Sequence, residues 1–144
     1  MNNKALKILE FNIIKEKLIS HASSALGKKL CDELLPETDM ESIQNNLSES
    51  EEALSLLYAH GRSPIYEVKD FRLMLKHVEK GGTLDNRDLL DAAMLLRSVQ
   101  ETKKYFNDSE ENMEKYPKIG NLISLLKPYP NIEREISSAI ISET

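Results

Sequence analysis

The chain has 144 residues, 40% of them hydrophobic and 30% charged, with a net charge of −5. That length suits one domain, the apolar fraction excludes a disordered chain, and the acidic balance is the opposite of what a free nucleic-acid binder carries. With five Gly, five Pro, three Phe and no Trp, turn formers and aromatics are too few for a β-sandwich or barrel, so helices are expected. The lone cysteine, Cys31, excludes an internal disulfide and fits a reducing compartment. No apolar run approaches the ~20 residues of a membrane span, and the N-terminus has no signal core. The chain is therefore read as cytoplasmic, with no membrane contact.

Residues 3–20 place Leu6, Leu9, Ile13, Ile14 and Leu18 near helical spacing, with a break expected at Phe11-Asn12. Residues 24–35 repeat Leu26, Leu30 and Leu34 and end at Pro36, which cannot extend a helix. Thr38 with Glu41 forms a capping-box pattern, with Asp39 as a competing N-cap. The helix that follows turns Ile43, Leu47, Leu54 and Leu57 inward and stops near Gly61. Arg62 to Tyr66 reads as an extended connection, because Pro64 biases Ser63 away from helix. A helix over 69–80 is ended by Gly81-Gly82, and Thr83 or Asp85 caps the longest helix, over 86–106. Leu89, Leu90, Ala93, Leu96 and Val99 form its stripe. A polar loop covers 107–112, and Pro117 opens another helix with Ile119, Leu122, Ile123 and Leu126 inward. Pro128-Tyr129-Pro130 is a stiff break before a last helix with Ile132, Ile136 and Ile140 on one stripe.

No internal repeat recurs, and the short loops predict an all-α, multi-helical bundle over residues 1–144, with at least six helices and more than about 60% of residues helical. Leu26, Leu30, Leu47, Leu54, Leu75, Leu89, Leu96 and Leu122 are expected to be buried.

Motifs that carry chemistry are nearly absent. Leu26-Gly27-Lys28-Lys29 comes nearest to a phosphate-binding loop, but Ala22 stands at the upstream glycine position and Lys29 replaces the required hydroxyl. His21, Cys31, His60 and His77 are scattered singly, so no metal site is expected. Cys31 reads as a small hydrophobe beside Leu30 and Leu34, and His60 as a residue suited to a helix C-terminus. Leu84-Asp85-Asn86-Arg87 matches a short nuclease-type pattern, but its place after Gly81-Gly82-Thr83 makes it a helix start. No catalytic residue, metal or cofactor is assigned within these residues.

Charge is unevenly distributed. Residues 37–60 hold six acids and no Lys or Arg, whereas residues 61–82 hold five basic and three acidic residues. Lys69, Arg72, Lys76 and Lys80 are spaced 3, 4 and 4 apart and line one helix face, opposite Phe71, Leu75 and Val78. Two roles fit that stripe. One is solvation or pairing with the upstream acids Glu41, Glu49 or Glu52; the other is contact with nucleic-acid phosphates.

Several segments together resemble one family. They are Leu9-Glu10-Phe11 with Ile14-Lys15, Ser24 to Lys28 leading to Leu34-Leu35-Pro36, and Glu49 to Leu54. Then come Gly61 to Ile65 with Asp70, Leu75-Lys76, Glu79 to Leu84, Leu89-Leu90-Asp91 and Leu95-Leu96-Arg97. In this order the chain resembles the N-terminal part of the core and lever region of the second bacterial type of MutS protein, best over residues 5–105. His77-Val78 and Ser50 depart from the more usual residues of that family.

The resemblance implies a longer parent with a MutS-like core, a dimerising ATPase domain using ATP and Mg, and a C-terminal nuclease-like Smr domain. It also implies DNA binding, suppression of recombination, ribosome association and rescue of stalled ribosomes. This segment would then be a non-catalytic scaffold whose partner is the rest of its own chain. The absence of a stop signal after Ile140 is expected on that reading, and the last helix should then fray or pack against another copy. A standalone helical interaction module is the alternative.

Overall fold

A computed structural model describes residues 8–65 and 68–141. Among these residues there are eight helices and no strand, and 72% of positions are helical. The helices are α1 (Phe11–His21), α2 (Ala25–Glu33), α3 (Met40–His60), α4 (Arg72–Glu79), α5 (Asn86–Phe106), α6 (Asn112–Lys115), α7 (Pro117–Ser124) and α8 (Pro130–Ile141). Of the residues cited above for the first helix and the 62–66 connection, Leu6 and Tyr66 lie outside the described residues.

Local chemistry sets most boundaries. Glu10 adopts a left-handed φ of 52° just before α1, so the expected break falls one residue before Phe11. Ser24 caps α2 by accepting from the Gly27 N–H at 3.0 Å. Asp39, not the Thr38 box, caps α3 by accepting from Ser42 N–H at 2.8 Å, and that bond lowers its carboxyl pKa. Gly61 closes α3 at φ 83°, a conformation that disfavours a Cβ. Asp85 caps α5 through the Asp88 N–H at 2.8 Å. α4 starts three residues later than its apolar spacing predicts, because Asp70 takes the Arg72 N–H at 3.1 Å and ends the extended segment there.

α1 and α2 form a hairpin, tied where the Lys15 ammonium reaches the Asp32 carbonyl. α3, α5 and α6 gather around α7, and α8 lies along α5 in the most extensive helix contact of the described residues. Arg97 of α5 donates to Glu133 of α8 at 2.6 Å, which holds the Glu133 carboxyl below its usual range. The last helix, Pro130–Ile141, is thus docked on α5 rather than frayed.

α3, α5, α6 and α7 meet at one corner. Tyr116, the residue before α7, supplies no side-chain cap. Glu52 of α3 does so instead, accepting from the Lys118 and Ile119 N–H groups at 2.8 and 3.0 Å. Asn112, buried at the start of α6, donates to the Phe106 carbonyl at 2.6 Å, and its amide lies 3.3 Å from His60 Nε2. The His60 ring packs against Tyr105 at 5.3 Å between centroids. Gly120 brings α7 close to the corner; a Cβ there would lie 2.4 Å from Met113 Sδ and 2.9 Å from Phe106 Cζ.

The core is smaller than the apolar periodicity predicts. Buried apolar side chains among the described residues are Leu56, Ala93 and Phe106. Of the eight leucines expected inside, Leu26, Leu89 and Leu96 are half-buried, while Leu30, Leu47, Leu54, Leu75 and Leu122 are exposed. Leu90 of the α5 stripe is exposed as well. The molecule's accessible surface is 11242 Å², against roughly 7,500 Å² for a compact domain of this mass. Helical stripes formed where expected, but the hairpin and α4 do not fold back tightly enough to cover them.

Two substitutions test the corner. Asn112→Ala strands the buried Phe106 carbonyl and should cost about 1–3 kcal/mol in urea unfolding. Gly120→Ala should cost about 1–3 kcal/mol through overpacking. Met113→Ala in the same chain should recover part of that second loss, because the thioether is the nearest obstacle.

Candidate nucleic-acid interface

The four basic residues singled out by their spacing do not form one continuous helical stripe. Lys69 precedes α4, Arg72 and Lys76 lie within it, and Lys80 stands just past its last turn. Their partners divide them further. The Lys69 ammonium pairs with Asp91, a buried carboxylate on α5. Arg72 forks onto Asp70, with Nε at 2.8 Å and Nη2 at 2.5 Å from its two oxygens. That bidentate pair holds the Asp70 carboxyl down to about 2, so the pair stays ionised throughout the neutral range. Lys76 and Lys80 are exposed and make no ion pair among the described residues.

The pairing expected with the upstream acidic helix does not occur. Glu52 is committed to the α7 N-terminus, and neither Glu41 nor Glu49 reaches any of the four cations within the described residues. Asp70 and Asp91 take the two pairings instead. Asp91 lies on the side of α5 opposite Leu89, Ala93 and Leu96, with the buried Ser98 and Thr102, so the apolar spacing of α5 gave no sign that it would be buried.

Phe71 and Leu75 face the other way. With Leu26, Leu30, Val68 and Leu95 they floor a groove of about 420 Å³ between α2, α4 and α5. Lys29, Glu33, Lys69, Asp70 and Arg72 also line it, so both signs of charge border the apolar floor. A second apolar recess of about 340 Å³ lies between α3, α5 and α7.

Chemically, this surface offers two ammonium groups that make no ion pair among the described residues. Phosphate binding through them alone would release about two counterions, too few for tight association with a duplex. The other reactive groups are engaged structurally. His60 is held in the corner by Asn112 and Tyr105, with Asp108 at 3.7 Å from Nδ1. Cys31 is half-buried on the hairpin, and the His77 ring lies over Gly82. Among the described residues no cluster of three His, Cys, Asp or Glu could hold a metal ion. No described helix is long and apolar enough to cross a membrane.

No family model matches the chain. Curated relatives do. The protein named Endonuclease MutS2 from Clostridium botulinum (strain Eklund 17B / Type B) is 38% identical over 143 residues, 99% of this chain and 18% of the relative. Its namesake in Finegoldia magna is 36% identical over the same shares. That of Ligilactobacillus salivarius is 29% identical across 97% of this chain and 18% of the relative. The chain thus spans less than a fifth of the length of the relatives it matches. Over nearly all of its own length, the chain is similar to MutS2 proteins, in keeping with an N-terminal segment of a protein of that kind.

Proposed function

We propose that this chain is a non-catalytic scaffold segment of a MutS-like parent. That parent binds DNA in an ATP- and Mg-dependent manner as a homodimer, and it associates with ribosomes. Endonuclease activity, suppression of recombination and rescue of stalled ribosomes belong to the parent, with the chemistry supplied by parts of it outside these residues. The observation that carries the scaffold reading is where the buried and half-buried polar groups go. Asn112, Asp91 and Glu52 are each committed to a helix end or to a cation on a neighbouring segment. Groups committed in this way hold helices together and are not free to move protons or bind a reacting atom. The names of the relatives support the activity of the parent, since each is called an endonuclease.

The purified chain should neither hydrolyse ATP nor cut DNA or RNA. In a MutS2 parent carrying this segment, Cys31→Ala and His77→Ala should leave turnover within about twofold of the starting value, because neither group is placed to act on a substrate. Asn112→Ala should lower activity only in step with the thermal midpoint. Turnover by the purified chain that a point substitution abolishes would overturn the scaffold reading.

A further inference from the structure

The groove between α2, α4 and α5 has charged walls of matching pattern. Lys29 and Glu33 stand one turn apart on α2, and Asp70 and Arg72 stand two residues apart at the start of α4. Each wall satisfies its own charges. Lys29 Nζ lies 3.8 Å from the Glu33 carboxylate, and Arg72 forks onto Asp70. The walls nevertheless act on one another. The bonds from Arg72 are the main reason that the Asp70 carboxyl is lowered, and the Lys29 ammonium adds to that effect from α2. Asp70 is likewise the main reason that Arg72 is raised, and the Glu33 carboxylate adds to it. Lys29 thus opposes Asp70 and Glu33 opposes Arg72, while neither cross-groove pair is formed among the described residues.

Apolar surface lies between these walls. Leu30 of α2 is 69% exposed and Leu75 of α4 is 59% exposed, although both line the same groove. α2 and α4 are not among the helices that pack extensively on one another. The start of α4 is fixed to α5 by the Lys69–Asp91 pair. α2 makes its extensive contact with α1, and Lys15 of α1 reaches the Asp32 carbonyl of α2. The link from this hairpin to α3 is extended at both of its ends, Leu34 and Asp39. A hairpin tied internally and joined to the rest through an extended link is able to swing as a unit.

We propose that the α1–α2 hairpin is a clasp that closes on α4. In the closed form Lys29 pairs with Asp70 and Glu33 with Arg72, in place of the two pairs within the walls. Leu26, Leu30 and Leu75 then meet over Phe71 and Leu95. Because the exchange conserves the number of ion pairs, apolar burial favours closing and the ordering of the hairpin opposes it. Two opposed terms of this kind give a two-state element whose populations the wall charges can bias.

Spin labels at Lys28→Cys on α2 and Lys76→Cys on α4, in a chain carrying Cys31→Ala, report closure as a second, shorter distance in pulsed electron paramagnetic resonance. Glu33→Arg alone, or Arg72→Glu alone, sets like charges across the groove. Each should lower the ratio of closed to open chains at least about threefold. The two substitutions together abolish both pairs within the walls and keep both pairs across the groove. That double variant should therefore raise the ratio at least about threefold above the chain without them. All four chains should show the same far-ultraviolet circular dichroism, because the charges concerned are exposed. A single distance common to all four chains overturns the proposal, as does a double variant no more closed than either single one.

Discussion

The bond from the Asn112 amide to the Phe106 carbonyl governs the rest of the molecule. Phe106 is the last residue of a 21-residue helix and is 2% exposed, so its carbonyl has neither the next helical turn nor solvent to satisfy it. Asn112 supplies the missing donor from six residues downstream, and that fixes the loop length and the direction in which the chain leaves α5. The same amide lies against His60, the last residue of α3. The other ring nitrogen, Nδ1, lies 3.7 Å from the Asp108 carboxylate. One side chain therefore ties the C-termini of both long helices. Glu52, two turns before His60, uses the resulting alignment to cap α7. Without that alignment, α7 would begin with two unsatisfied N–H groups.

The sequence was most informative where a local rule decides the outcome. Gly61, Asp85 and Pro117 each mark a helix boundary that the structure places at or beside the marker, because caps and turns depend on a few adjacent residues. Burial was much less legible. Leu47 and Leu54 obey helical spacing as well as Leu89 and Leu96 do, yet the first pair is exposed and the second half-buried. Periodicity reports that a helix has an apolar face; it carries no information on whether a second layer covers that face. The corner itself was invisible, since Asn112 lay in what reads as a polar loop and nothing local marks it as buried.

Charge shows the same division. Spacing correctly placed Lys76 on the face opposite Phe71 and Leu75, but it could not name partners. Lys69 and Arg72 belong to the same run, yet they are taken by Asp91 and Asp70. Arg72 had an acid two residues away, close enough for a bidentate fork, and local pairing wins because it orders few additional side chains. Asp91 lies 22 residues from Lys69 and becomes its partner only once α5 packs beside the segment that precedes α4. A candidate binding stripe of four charges thus becomes two structural pairs and two available ammonium groups. The signal that could have separated them was the presence of Asp70, not the spacing of the cations.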